Sequence, residues 1–280
     1  MVLRFRRGVF VGACVASALW GSAAGAEGRG FQLERYEPTS AGEADFWVDH
    51  PWFSNVRPFA VGLTFDYAQN PLVYVRDAEG NLDPTKAAIS RQLVGHLDLA
   101  GSYGDFVTLT LSQPFILSEG GTATSNGVGP ASGVGIGDTR VGVMFRAGGH
   151  ADTDPISVSV GTLLWLPLGG EARHAGDSTF RLMPKIAVGG VVDNVRWGLT
   201  GGVILRETSE IDDQVPGDGN AIGPEAQIGA SVGYISDDHR LTVGPEAVLG
   251  LDLRENAFGK VDHSGLEVLL GGHYLIADMI

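Results

Sequence analysis

Apolar and polar residues alternate with a period of two along ten separate segments of the chain. In the segment 59–67, large apolar or aromatic residues occupy every second position, and small or polar residues lie between them. Such alternation is typical of a β-strand with one apolar and one polar face. The ten segments lie at 59–67, 96–99, 107–112, 140–146, 156–161, 180–188, 195–203, 227–232, 241–249 and 266–274. They predict ten strands.

The connections between these strands alternate in length. Short connections lie at 101–105, 191–194 and 236–239, with a somewhat longer one at 148–155. Long connections lie at 68–91, 118–135, 167–178, 207–221 and 252–263, after the first, third, fifth, seventh and ninth strands. Short periplasmic turns and long outer loops give membrane barrels this rhythm. A soluble β-sandwich, which is the alternative fold, has no reason to keep it.

Aromatic residues lie near the ends of the apolar faces, whereas the middle of each face is aliphatic. This distribution is expected where strands cross both membrane interfaces. The predicted membrane-interface aromatics are Phe59, Tyr67, Tyr103, Phe115, Trp165, Phe180, Trp197, Tyr234 and Tyr274. We therefore predict an all-β protein, an antiparallel up-and-down transmembrane β-barrel of about 10–12 strands over residues 56–280.

The end of the chain bears on the strand count. Residues 274–280 lack the closing strand and terminal aromatic residue that are typical of complete barrels. Closure with ten strands, or truncation before about two further strands, would satisfy the even-number rule. We favour a barrel that is truncated at its C-terminus.

The first 26 residues have the three parts of a secretory signal peptide. Three arginines lie within the first seven residues, an apolar run covers 8–20, and Ala24-Gly25-Ala26 forms a small-residue cleavage site. The run is shorter than the roughly 20 apolar residues of a membrane-spanning helix, which disfavours the alternative of an uncleaved anchor. We expect cleavage after Ala26 and delivery to the outer membrane of a Gram-negative cell envelope.

Composition and charge restrict the classes of molecule that the chain is expected to bind. The formal net charge is −14, and the 280 residues include 42 glycines and 13 prolines, which suit turns rather than helices. Nucleic-acid binding needs a basic surface, so the charge argues against it. The predicted partners are outer-membrane lipid and lipopolysaccharide. Cys14 is the one cysteine and lies in the signal segment, so disulfides and thiol catalysis are excluded from the mature chain.

Residues 27–55 form a leader that does not alternate. Its aromatic residues, among them Phe31, Tyr36, Phe46 and Trp47, need burial. The leader therefore either extends into the periplasm or folds into the lumen as a plug. We favour partial packing in the mouth of the lumen.

Charged residues lie on the polar faces of several strands. An arginine at the bilayer midplane on the lipid face costs about 2–4 kcal/mol, so these side chains must face the lumen. The predicted lumen charge network comprises Arg140, Arg146, Arg181, Lys185, Arg196, Glu225, Glu246 and Glu267. The basic members precede the acidic ones along the chain. Taking the N-terminus as periplasmic, we hypothesise a narrow throat in which a basic wall pairs with an acidic wall, because unpaired buried charges are costly.

Three stretches carry a resemblance to a known family. They are GFQLERYEPTSAGEADFWVDHP at 30–51, then 61–67 with Asn70-Pro71-Leu72-Val73, and Gly135-Ile136-Gly137-Asp138-Thr139-Arg140. The chain resembles the N-terminal barrel of OmpA-family outer-membrane proteins, particularly the myxobacterial type. The 135–140 motif also resembles transporter barrels of aromatic-compound degradation loci. The first resemblance implies a peptidoglycan partner, bound through a domain that this chain does not contain.

Catalytic and metal-binding interpretations find little support. An HExxH motif is absent, and 217–220 lacks the acidic spacing of a calcium loop. His174, Asp177 and Ser178 share one loop, and 263–264 is a His-Ser pair in another. Proximity in polar loops does not make a triad, which is defined by geometry. We predict no enzyme, no cofactor and no metal.

These observations favour one function over two alternatives. We predict an OmpA-type structural or anchoring barrel, with at most a narrow pore for small solutes. The first alternative is an open diffusion porin or a transporter for small hydrophobic solutes. The second is a lipid-modifying hydrolase embedded in the barrel.

Overall fold

The computed structural model describes ten ranges of the chain. They are 32–33, 35–51, 58–73, 87–123, 129–169, 174–177, 179–210, 221–255, 257–260 and 264–275. The predicted signal peptide and residues 276–280 lie outside the described residues. Within these ranges the regular structure is β-strand, and no helix long and apolar enough to cross a membrane occurs.

Ten long strands and three two-residue strands make up the fold. The long strands are β1 (Phe59–Val73), β2 (Ala87–Tyr103), β3 (Val107–Gly120), β5 (Thr139–Gly148), β6 (Ser157–Leu166), β7 (Arg181–Val192), β8 (Val195–Ile204), β11 (Glu225–Ile235), β12 (Leu241–Asp252) and β13 (Ser264–Tyr274). The short ones are β4 (Gly135–Ile136), β9 (Ser209–Glu210) and β10 (Ala221–Ile222). Each long strand contains one of the ten predicted segments or most of it.

The long strands form one antiparallel sheet in which neighbours in sequence are neighbours in space. The order is β1-β2-β3-β5-β6-β7-β8-β11-β12-β13, with β4 added beside β3, and β9 pairs with β10 separately. The prediction of an all-β, antiparallel up-and-down architecture is confirmed. In the described part of the chain no ladder joins β1 to β13, so these two strands are the edges of the sheet.

The sheet curls strongly, so that one short segment of the leader reaches both edges. A Cβ atom at Gly62 of β1 would lie 3.5 Å from the Cβ of Ala41. On the opposite edge, the ring of Phe46 packs directly on Gly271 of β13. Since these two leader residues are five positions apart, β1 and β13 must both bend around the leader. The sheet therefore has a concave inner face and a convex outer face.

The two faces differ in polarity as the alternation predicts. Apolar side chains point outward, with Leu109 60% exposed and Val268 71% exposed. Buried polar side chains point inward, among them His96, Ser159 and Arg196. This arrangement inverts that of a soluble protein, in which large apolar side chains are mostly inside.

The connections keep the predicted rhythm. Tight turns link β2 to β3, β7 to β8 and β11 to β12, and a somewhat longer one links β5 to β6. The other connections are longer, although β1 and β2 extend further than predicted and shorten the first of them to 74–86. The sheet therefore has a short-turn end and a long-loop end.

The predicted interface aromatics lie on the outer face, with one exception. Phe59, Tyr103, Phe180 and Tyr274 are among those exposed outward. Trp165 instead points inward and is 2% exposed. The reason is strand parity, because Trp165 shares its face with the inward Ser157 and Ser159. The outward prediction for Trp165 was therefore wrong.

Close contact between β5 and β6 requires glycine at one position. A Cβ at Gly161 would overlap the backbone carbonyl oxygen of Val143, whereas a Cβ at Gly148, at the end of β5, would meet nothing within 4 Å. We expect Gly161→Ala to lower the free energy of unfolding by about 1–3 kcal/mol, the usual cost of overpacking. Gly148→Ala is the matched control and should cost less than about 0.5 kcal/mol. Urea unfolding in detergent would measure both, and equal effects would contradict the strand packing.

Candidate functional site

The leader crosses the inner face from one end of the sheet to the other. At its start, the Gln32 N–H donates to Asp177 Oδ1 (2.8 Å) and the Leu33 N–H donates to the His174 carbonyl oxygen (3.0 Å), both at the long-loop end. At its end, His50 packs on Gly189, close to the turn between β7 and β8. The described part of the leader therefore begins at the long-loop end. A periplasmic N-terminus would place its start at the short-turn end instead.

Leader side chains form ion pairs with four different strands. Glu37 pairs with Arg140 of β5 (3.1 Å), Asp45 with Arg196 of β8 (3.3 Å), Asp49 with Lys185 of β7, and Arg35 with Glu225 of β11 (2.6 Å). Three leader carboxylates thus neutralise three inner-face cations, and one leader cation neutralises an inner-face carboxylate. Buried charges that lacked such partners would be strongly destabilising.

Glu246 of β12 binds the leader through its backbone. Its carboxylate is 4% exposed and accepts N–H bonds from three consecutive residues, Phe46 (2.7 Å), Trp47 (2.9 Å) and Val48 (2.8 Å). Charge-assisted bonds of this kind are about twice as strong as neutral ones. Glu246 therefore holds the centre of the leader against the inner face, where Val48 is fully buried.

The predicted lumen charges face inward for the most part, but their partners differ from those hypothesised. Arg140, Lys185, Arg196, Glu225 and Glu246 bind the leader rather than one another, as the pairs above show. Direct pairing of a basic wall with an acidic wall is thus replaced by pairing through the leader. Sequence reasoning missed this because the acids of the leader were not counted among the lumen charges.

Of the three remaining predicted charges, Arg181 also contacts the leader, whereas Arg146 and Glu267 lie elsewhere. Arg181 bonds to the side chains of Gln32 and Asp138. Arg146 lies at the short-turn end and pairs with Asp105 (3.0 Å) in the β2–β3 turn. Glu267 lies on the edge strand β13 and is exposed.

Asp138 organises the long-loop end, and sequence reasoning gave it no role. Its carboxylate is 1% exposed and accepts N–H bonds from Gly169 (2.9 Å) and Asp177 (2.9 Å), in addition to an ion pair with Arg181 (3.3 Å). Burial raises the pKa of Asp138 above its usual value, and the positive charge of Arg181 opposes this shift. The signal was present in the Gly-Asp-Thr-Arg turn, which served only as a marker of resemblance.

Asp177 links this network to the leader. Besides the Gln32 N–H, its carboxylate contacts Arg206 (3.0 Å) and Arg181 (3.5 Å). The neighbouring His174 lies 3.7 Å from the Glu119 carboxylate, and Ser178 lies outside the described residues. Asp177 and His174 thus contact different groups, and Asp177 fastens the start of the leader to the loop after β6.

A cavity of about 440 Å³ lies between the leader and the inner face near the long-loop end. Its lining includes Leu163, Trp165, Met183 and Ile204, which form one apolar cluster, together with several of the ion-paired residues. The guanidinium of Arg181 lies 5.0 Å from the centre of the Trp165 ring. The cavity is large enough for a small organic solute.

In the described ranges, no group of three His, Cys, Asp or Glu side chains is placed to hold a metal ion. Comparison with protein-family models and with curated protein sequences found no match. Function is therefore inferred from the geometry of the inner face.

The role of Glu246 can be tested at single amides. We expect Glu246→Gln to speed hydrogen exchange at Phe46, Trp47 and Val48 at least about tenfold, because it replaces charge-assisted bonds with weaker ones. Glu267→Gln removes an exposed carboxylate from the neighbouring strand and is the matched control. Protection of the three amides that survives Glu246→Gln unchanged would show that this carboxylate does not hold the leader.

Proposed function

We propose that this chain is an outer-membrane β-barrel protein whose lumen is occluded by its own leader. The observation that carries the proposal is the binding of one leader to five strands of the inner face, through four ion pairs and the Glu246 carboxylate. Such a barrel serves a structural or anchoring role and conducts small solutes at most through a narrow path.

The outer face supports a membrane location. Its apolar side chains would be costly to leave in water, and aromatic residues flank an aliphatic middle band, as at the interfaces of known barrels. The inner face carries the charges, which lipid would not tolerate at mid-depth. The signal-like segment at 1–26 supports the same destination, with lipid and lipopolysaccharide as partners.

The size of the sheet supports occlusion. A barrel of about eight strands has an interior that side chains fill, and an aqueous channel opens only near 16 strands. With ten long strands and a leader inside, little cross-section is left for solute. The resemblance to OmpA-family barrels agrees with an anchoring role and extends the proposal to peptidoglycan, through a separate domain.

Conductance in planar bilayers tests the occlusion. The wild-type chain from residue 27 onward should conduct little. Asp45→Asn combined with Asp49→Asn removes two buried leader ion pairs without altering the wall, and should raise the open probability by about tenfold. Asp237→Asn, in the exposed β11–β12 turn, is the control and should behave as wild type. A large, steady wild-type conductance that the double variant leaves unchanged would restore the open-porin alternative.

A second experiment tests the membrane location. Leu109 is exposed on the outer face and Thr110 follows it on the inner face, both in the first third of β3 near the short-turn end. Leu109→Arg should impair assembly into lipid vesicles, because an outward arginine meets lipid, at a cost that falls from about 2–4 kcal/mol at the bilayer midplane toward the interfaces. Thr110→Arg should be tolerated. Heat-dependent gel mobility would report assembly, and equal damage by both substitutions would contradict the proposed lipid-facing surface.

A further inference from the structure

The cavity at the long-loop end has an apolar wall, which is unusual on the inner face of a barrel, where side chains are generally polar. Leu163, Trp165, Met183 and Ile204 contact one another there, and each is at most 8% exposed. In the β6–β7 ladder, Leu163 lies opposite Met183 and Trp165 lies opposite Arg181. The apolar wall therefore adjoins a guanidinium directly.

The charged part of the lining is unbalanced. Six basic residues line the cavity (Arg35, Arg140, Arg181, Lys185, Arg206 and Arg254), against four acidic ones (Glu37, Asp49, Glu225 and Asp252). Asp138 and Asp177 neutralise Arg181 and Arg206 but do not themselves line the cavity. The surface that a solute would meet therefore carries cations that are paired with carboxylates, beside an apolar wall.

The leader shows how this surface holds a carboxylate. Glu37 Oε2 accepts from Arg140 Nη1 (3.1 Å), while Glu37 Oε1 accepts from the indole Nε1–H of Trp165 (2.9 Å). Glu37 thus occupies the polar contacts of the cavity, but it has no aliphatic tail beyond its carboxylate. It therefore does not account for the apolar wall formed by Leu163, Met183 and Ile204.

We propose that this cavity binds a small organic monocarboxylate with an aliphatic tail. The carboxylate lies beside Arg140 and Arg181, where it competes with Glu37, and the tail covers Leu163, Met183 and Ile204. A volume of about 440 Å³ falls within the range of small-molecule sites. This binding activity goes beyond the proposed function and does not depend on a membrane location.

Equilibrium dialysis of the full chain from residue 27 onward, in detergent, tests the proposal with radiolabelled hexanoate as the probe. Hexan-1-ol is the matched uncharged probe. Hexanoate should bind saturably at one site and change the tryptophan fluorescence, and Trp165→Phe should reduce that fluorescence change, with Trp47 as the second tryptophan in the lining. Met183→Gln should weaken hexanoate binding several-fold, because it makes the apolar wall polar.

A pair of leader variants separates ligand competition from general loosening of the leader. Glu37→Gln keeps the bond from Trp165 but removes the competing charge at Arg140, so hexanoate should bind at least about two- to fivefold more tightly. Asp45→Asn also breaks one leader ion pair, at Arg196, but neither residue lines the cavity. Asp45→Asn should therefore leave hexanoate affinity unchanged.

Three results would overturn the binding site. They are the absence of saturable hexanoate binding, equal binding of hexan-1-ol, and an equal gain in affinity in Glu37→Gln and Asp45→Asn. The first result would mean that the apolar wall packs only against the leader, and the other two that the cations do not select a carboxylate. Because dialysis uses no bilayer, such a failure is distinct from failure of the barrel proposal, which the conductance and assembly experiments test.

Discussion

Compensation of charge on the inner face is the constraint on which the structure depends. Curling the sheet brings basic side chains from β5, β7 and β8 into a space with little access to water, and their charges need partners there. The leader supplies those partners as Glu37, Asp45 and Asp49. It also brings Arg35 to Glu225 of β11. The inner face and the leader are therefore complementary, and neither has its charges satisfied without the other.

The same contacts relate the leader to the shape of the sheet. In an open antiparallel sheet, strand twist favours curling but does not by itself fix the radius of the curl. Here the leader touches β1 through Ala41 and β13 through Phe46. The leader thus lies between the two edges and contacts both of them. At the long-loop end, Asp138 and Asp177 join the loop after β6 to the start of the leader. The leader accordingly acts as an internal core for a fold whose large apolar side chains point outward.

The fold could be predicted from the sequence because period-two alternation is local. Each strand needs only its own residues to reveal its two faces, and the parity of Ser157 and Ser159 would have placed Trp165 correctly as well. The path of the leader could not be predicted in this way. Val48 and Glu246 are 198 positions apart, and nothing in the sequence indicates which of many carboxylates accepts the backbone N–H bonds. The cavity next to Trp165 depends on that path, so it too emerged only from the structure.

Thiol accessibility at Val48 tests the central claim, that the leader lies inside the curled sheet. The chain from residue 27 onward contains no cysteine, so Val48→Cys places one thiol at a position that is 0% exposed. Ala123→Cys, at an exposed loop position, is the reference. We expect a water-soluble maleimide to label Val48→Cys at least about a hundredfold more slowly than Ala123→Cys in the folded protein, and equally fast after denaturation. Equal labelling rates in the folded protein would contradict a leader held on the inner face.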